Sequence, residues 1–124
     1  MENVSVFDIG GGKAVAITTD DIVAAAAEQA VLCRKDARLS LRVCNANAAA
    51  AAVVRLKAGS GPRAVLGDRD VTVGAGETAY IALFDTARFK QLSTGTVTVQ
   101  LVDEDGDPLG AQALESIVIE AVQM

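Results

Sequence analysis

Apolar and polar side chains alternate through the stretch from Asp70 to Leu101. Val71 and Val73, then Val97, Val99 and Leu101, stand between polar neighbours, which is the period of a strand with one face buried and one wet. A third segment, Glu77-Thr-Ala-Tyr-Ile-Ala-Leu83, lies between them. Gly74, Gly76 and Gly95 fall where the chain must reverse, and glycine supplies the backbone freedom that tight turns need. So short a stretch has no room for a helical crossover, so the spacing predicts three strands in an antiparallel meander.

The same rhythm recurs on both sides. Val4, Val6 and Ile9 alternate, with Phe7 adding bulk, and read either as a first strand or as an extended arm ahead of a flexible Gly10-Gly-Gly12 hinge. Ala14 to Ile17 reads as a short strand. Thr18-Thr-Asp-Asp21 has a hydroxyl cap followed by acids, which predicts a short helix near 19–30, although Ala30 to Cys33 leans toward strand. Leu39, Leu41 and Val43 form a clear half-buried strand, closed by a turn at Asn45-Ala-Asn47. Val54 and Leu56 form the next, entered through alanines 48–52. Val65-Leu66 reads as a short edge strand and Ile117 to Val122 as the last strand. Seven or eight short strands with regular turn signals predict an all-β fold, an antiparallel β-sandwich of immunoglobulin-like or jelly-roll-like form. Residues 1–124 read as a single domain, with 1–12 as a candidate N-terminal arm and hinge.

Composition narrows the function classes. Half the residues are hydrophobic, yet aromatics make up 3%, so the core is aliphatic and thin and its stability open to reinforcement by association. A net charge of −5 without a basic run argues against nucleic acid as a partner, because phosphate binding needs clustered Lys and Arg. The chain has no His, the commonest general base and transition-metal ligand. It has no apolar run of about 18 residues to span a membrane. Met1-Glu-Asn-Val-Ser-Val lacks the basic start of a signal peptide, so cytoplasmic synthesis and folding are expected. Cys33 and Cys44 have no metal-site spacing and read as reduced core residues, a disulfide between neighbouring strands being the alternative.

Candidate chemistry is sparse. Gly10-Gly-Gly12-Lys13 lacks the spacing of a phosphate loop. Asp103, Asp105 and Asp107 have the rhythm of a calcium loop, but Pro108 and Leu114 stand at the sixth and twelfth positions, where Gly and Glu belong. A solvated hairpin turn with Asp105-Gly106 at its tip fits better. No serine triad or nucleophile elbow can be assembled, so neither enzyme activity, cofactor nor metal is expected. Phe84-Asp-Thr-Ala-Arg-Phe89 interrupts the alternation. It reads as a corner whose rings plug one end of the sandwich while Arg88 pairs with a carboxylate such as Asp85. The other reading makes Phe84, Arg88 and Phe89 a contact surface for another chain. With the arm residues Val4, Val6, Phe7 and Ile9, these are the candidate interface residues.

The stretch Asp70-Val-Thr-Val-Gly-Ala-Gly-Glu-Thr-Ala-Tyr-Ile-Ala-Leu-Phe-Asp-Thr-Ala-Arg-Phe89, followed by a polar turn and Thr96-Val-Thr-Val99, resembles small virion proteins of tailed bacteriophages. These carry a similar Val/Thr strand, an aromatic-Ala-Arg-Phe corner and a second Val/Thr strand, and the Leu39–Asn45 strand extends the likeness. Ala82-Leu83 departs from the family's Gly-Pro before the Phe. The Ala-rich first third and the acidic hairpin with its C-terminal strand are further departures. The resemblance implies a β-sandwich that attaches to the major capsid protein as a head decoration or minor capsid protein, with copies of itself as further partners. It also implies a place on the capsid surface after assembly in the host cytoplasm. A neck, tail or fibre-base virion protein is the first alternative. A bacterial immunoglobulin-like adhesion or carbohydrate-binding module is the second, disfavoured by the absence of Trp and of an export signal.

Overall fold

The alternating segments place their apolar members in one interior between two sheets. The computed structural model describes residues 2–4, 6–8, 27–33, 38–83 and 86–123. Along them run β1 (Glu2–Val4), β2 (Val6–Asp8), β3 (Glu28–Leu32), β4 (Leu39–Asn45) and β5 (Ala52–Leu56). After a 3-10 helix at Pro62–Leu66 come β6 (Arg69–Val73), β7 (Thr78–Leu83), α1 (Thr86–Phe89) and β8 (Lys90–Gln91). The chain ends with β9 (Thr96–Val102), α2 (Ala111–Leu114) and β10 (Ile117–Gln123).

One sheet has the order β1-β3-β9-β5-β6, and β8 also pairs with β9. The other has the order β2-β10-β4-β7. The protein is therefore an all-β sandwich. β3 covers one edge of β9 from Thr96 to Gln100, so β8 and β5 share the opposite edge end to end. The pairings are antiparallel except for β1 on β3 and β2 on β10, which are parallel. The N-terminal segment thus crosses from an edge of one sheet to an edge of the other. Val4, Val6 and Phe7 belong to these strands and pair within the domain, the strand reading of the two expected. Ile9, the Gly10–Gly12 hinge, the strand at 14–17 and the helix-start residues 18–21 lie outside the described residues.

The core comes from inward positions of both sheets. Leu39, Leu41 and Val43 of β4 and Ile117, Ile119 and Ala121 of β10 meet Val54 and Leu56 of β5 and Val97, Val99 and Leu101 of β9. Burying each of the Val, Leu and Ile side chains among them stabilises the fold by roughly 1.5–3 kcal/mol. Phe89 is buried among them, the one aromatic of that core among the described residues.

Three expectations need correction. The meander fails although its three strands exist, because β6 pairs with β5 in one sheet while β7 pairs with β4 in the other. The Gly74–Glu77 turn closes locally, Glu77 N–H donating to the Gly74 carbonyl at 3.0 Å. The strands leaving it diverge, since the carbonyls of Val73 and Gly74 accept from the Asn45 side chain. The short helix near 19–30 also fails over its last residues, where Glu28–Leu32 is a strand between β1 and β9. Two flanking ladders and the burial of Gln29, Ala30 and Val31 outweigh alanine's helix propensity. Val65-Leu66 is not an edge strand. Pro62 fixes φ at a first helical position and the segment closes as a 3-10 turn, Gly67 N–H donating to the Ala64 carbonyl at 3.0 Å.

Cys33 is buried and Cys44 half-buried, and no disulfide joins them. Among the described residues no helix is long and apolar enough to cross a membrane.

Candidate interaction surface

Two sides and two poles of the sandwich differ in what they offer. The β1–β2 segment covers one side of the pair of sheets. On the opposite side the outermost strands are β6 and β7, and among the described residues no strand pairs with their outer edges. The β6 edge is guarded by charge, Arg69 and Asp70, with Asp70 held by Arg55 at 2.9 Å. β7 reads Thr78-Ala-Tyr-Ile-Ala-Leu83, with neither charge nor proline. An edge without such guards is a template for another strand.

The register says which groups it presents. Asn45 N–H donates to the Glu77 carbonyl at 2.9 Å, so 45 and 77 form a hydrogen-bonded pair. Alternation along the antiparallel ladder then turns the backbone of Ala79 and Ile81 toward β4 and that of Thr78, Tyr80 and Ala82 outward. Tyr80 is 78% exposed. Its row continues across the sheet face, Arg42 standing opposite Tyr80 on one side and Glu120 on the other, with Arg42 Nη1 3.0 Å from Glu120 Oε1. Hydrogen bonding to Tyr80, then attraction to Glu120, raise the pKa of the Arg42 guanidinium above its ordinary value.

The first pole gathers the 3-10 helix, α1 and the turn after β8. Phe89, expected either as an end plug or as a contact residue, is buried and plugs the interior. Arg88 is anchored rather than presented. Its Nε donates to the Gly67 carbonyl at 2.9 Å, and its Nη2 donates to Leu66 at 3.2 Å and Asp68 at 3.0 Å. Its guanidinium carbon lies 5.0 Å from the centre of the Phe89 ring, a cation–π distance. One fork thus holds the carbonyls that end the 3-10 helix. Asp85, its expected partner, and Phe84 lie outside the described residues.

Gly59 locks the same corner from beneath. Its N–H donates to the Arg88 carbonyl at 2.9 Å, and the backbones pass so closely that a Cβ there would overlap Lys90. Asp68 completes the frame, its carboxylate accepting from Ala58 N–H at 2.6 Å and pairing with Lys57 at 2.9 Å. These contacts, the Ala58 bond foremost, hold the Asp68 carboxyl below the usual carboxylate range. On this frame no residue of the 3-10 helix is buried, and Val65 and Leu66 are exposed. Leu92 lies by Gly61 at the start of that helix, its N–H held by Ser60 Oγ at 2.8 Å and its own side chain exposed.

The second pole is acidic. Val102 and Pro108 bridge the base of a turn in which Asp103 Oδ1 accepts from both Asp105 and Asp107 N–H at 2.9 Å. The Asp103 carboxylate therefore organises the hairpin. Glu77 and Glu115 reach the same pole from other connections. Exposed Tyr80, Leu66 and Leu92 escaped the sequence reading of the interface. For Tyr80 a signal existed, since it alternates out of phase with Ile81.

Comparison with protein-family models, curated proteins and solved structures finds no match to this chain.

Proposed function

We propose that this chain is a structural virion protein of a tailed bacteriophage, a head decoration or minor capsid protein that binds the major capsid shell and stabilises it by contact. The observation that carries the reading is the unguarded edge of β7, built from the stretch that resembles such proteins. An extended segment of the shell protein adds to this edge, main-chain hydrogen bonds giving affinity and Tyr80 giving side-chain contact. Modest affinity per copy suffices where the contact is repeated over a shell.

The test is sedimentation of shells assembled without this protein. Wild-type protein added to them is expected in the pellet. Ala82→Pro removes an N–H that points off the sheet and leaves the β4–β7 ladder intact, a substitution edge strands tolerate. This variant should keep its circular dichroism spectrum and stay in the supernatant. Wild-type protein left in the supernatant would reject shell binding, and Ala82→Pro pelleting like wild type would reject the β7 edge.

A further inference from the structure

The topology sorts charge by pole. β9 leads from the turn after β8 to the acidic hairpin, β4 and β10 run together along their whole length, and β5 and β6 stop level with Val99, midway along β9. At the hairpin pole lie residues 45–51, 74–77 and 103–116, which contain Glu77, Asp103, Glu104, Asp105, Asp107 and Glu115 and no Lys or Arg. The one described cation reaching toward them is Arg55, whose Nη2 lies 3.8 Å from where a Cβ on Gly106 would stand and which is already paired with Asp70. At the other pole lie Arg38, Lys57, Arg63, Arg88 and Lys90, with Arg88 held by the carbonyls of Leu66, Gly67 and Asp68. The described acids at that level are Asp8 and Asp68, and Asp68 is held by Lys57.

The poles are separated by the seven residues of β9, about 20 Å at strand rise. That is about twice the screening length near 0.1 M salt, so each pole presents its own field. The basic pole also carries three exposed apolar side chains, Val65 at 88% and Leu66 at 53% on a helix with no buried residue and Leu92 at 67% in the turn after β8. Apolar side chains held rigidly in water and rimmed by charge of one sign mark a contact surface, and its complement has the opposite sign.

We propose that the basic, apolar pole docks the acidic pole of a second copy of this chain. Leu66, Val65 and Leu92 pack against the hairpin end of the neighbour while the net positive charge of their pole faces its carboxylates. Each copy then uses two different surfaces. Such a head-to-tail contact propagates, closing into a ring if the rotation allows and otherwise growing as a filament. The contact leaves the β7 edge open, so it stands or falls independently of shell attachment.

The experiment is sedimentation velocity of the full chain and of two variants whose changes lie on exposed side chains. One carries Val65→Asp with Leu92→Asp, the other Glu104→Lys with Asp105→Lys. Wild type is expected to form oligomers whose association weakens about tenfold or more from about 0.01 M to 1 M sodium chloride, as screening shortens. Each variant alone is expected to be a monomer with unchanged circular dichroism. An equimolar mixture should give pairs and nothing larger, because one intact pole of each kind remains. A wild type that stays monomeric at millimolar concentration would overturn the proposal. So would an acidic-pole variant that still self-associates like wild type, since that indicates a symmetric apolar contact.

Discussion

Asn45 is the residue on which the divergence of the two sheets turns, and its replacement has a calculable cost. The side chain is 1% exposed. Its Nδ2 donates to the carbonyls of Ala50 at 3.0 Å, Val73 at 3.3 Å and Gly74 at 3.4 Å, and its Oδ1 accepts from Asn47 N–H at 3.1 Å. One amide therefore ties the end of β4 to the entry of β5 and the exit of β6. Asn45→Ala removes all of these bonds. Net loss is about 1 kcal/mol per hydrogen bond, with a further 1–3 kcal/mol for leaving a buried carbonyl unpaired. The two amide hydrogens cannot serve three acceptors at full strength, so we take about 3 kcal/mol in total. With a urea slope of roughly 1.5 kcal/mol per molar, the unfolding midpoint should drop by about 2 M. Asn45→Asp should be worse at neutral pH, since it turns an acceptor oxygen toward three carbonyls. Urea titration followed by circular dichroism measures both. A loss under about 0.5 kcal/mol for Asn45→Ala, or an Asp variant as stable as the Ala variant, would refute the hub.

Gly59→Ala should unfold the first pole or the whole domain. The new Cβ meets backbone, with the Phe89 carbonyl carbon 2.7 Å away, so no side chain can yield; a melting temperature within about 2 °C of wild type would contradict the close approach. Stability should also fall on acidification through Asp68. Its pKa is lower in the folded chain than the ordinary 3.8, so its contribution is complete above that value and is lost as pH falls below it. Asp68→Asn should flatten the pH dependence of the urea midpoint below about pH 4, because it lowers the midpoint at pH 7 toward the value that wild type reaches in acid. An unchanged acid limb would exclude that role.

The strands were legible because their side chains carry the period of the sheet. Leu39, Leu41 and Val43, or Val97, Val99 and Leu101, identify both a strand and its inward face, and the structure buries those residues. The sheet to which each strand belongs was not legible. The period is the same whether β6 and β7 pair with each other or diverge, and what separates them is the long-range donation from Asn45. Asn45 itself read as a turn residue, because Asn favours turns by its local chemistry and nothing local records its burial. Val65-Leu66 misled for a related reason: two apolar residues beside a glycine suggest a strand, whereas their exposure follows from Arg88 more than twenty positions away. The acidic hairpin was visible as a run, but its becoming a pole depends on Glu77 and Glu115 arriving there through the topology.

β10 sits between β2 and β4, so both neighbours depend on one seven-residue segment for their place in the sheet. Excising Ile117–Gln123 would divide that sheet in two rather than shave its rim.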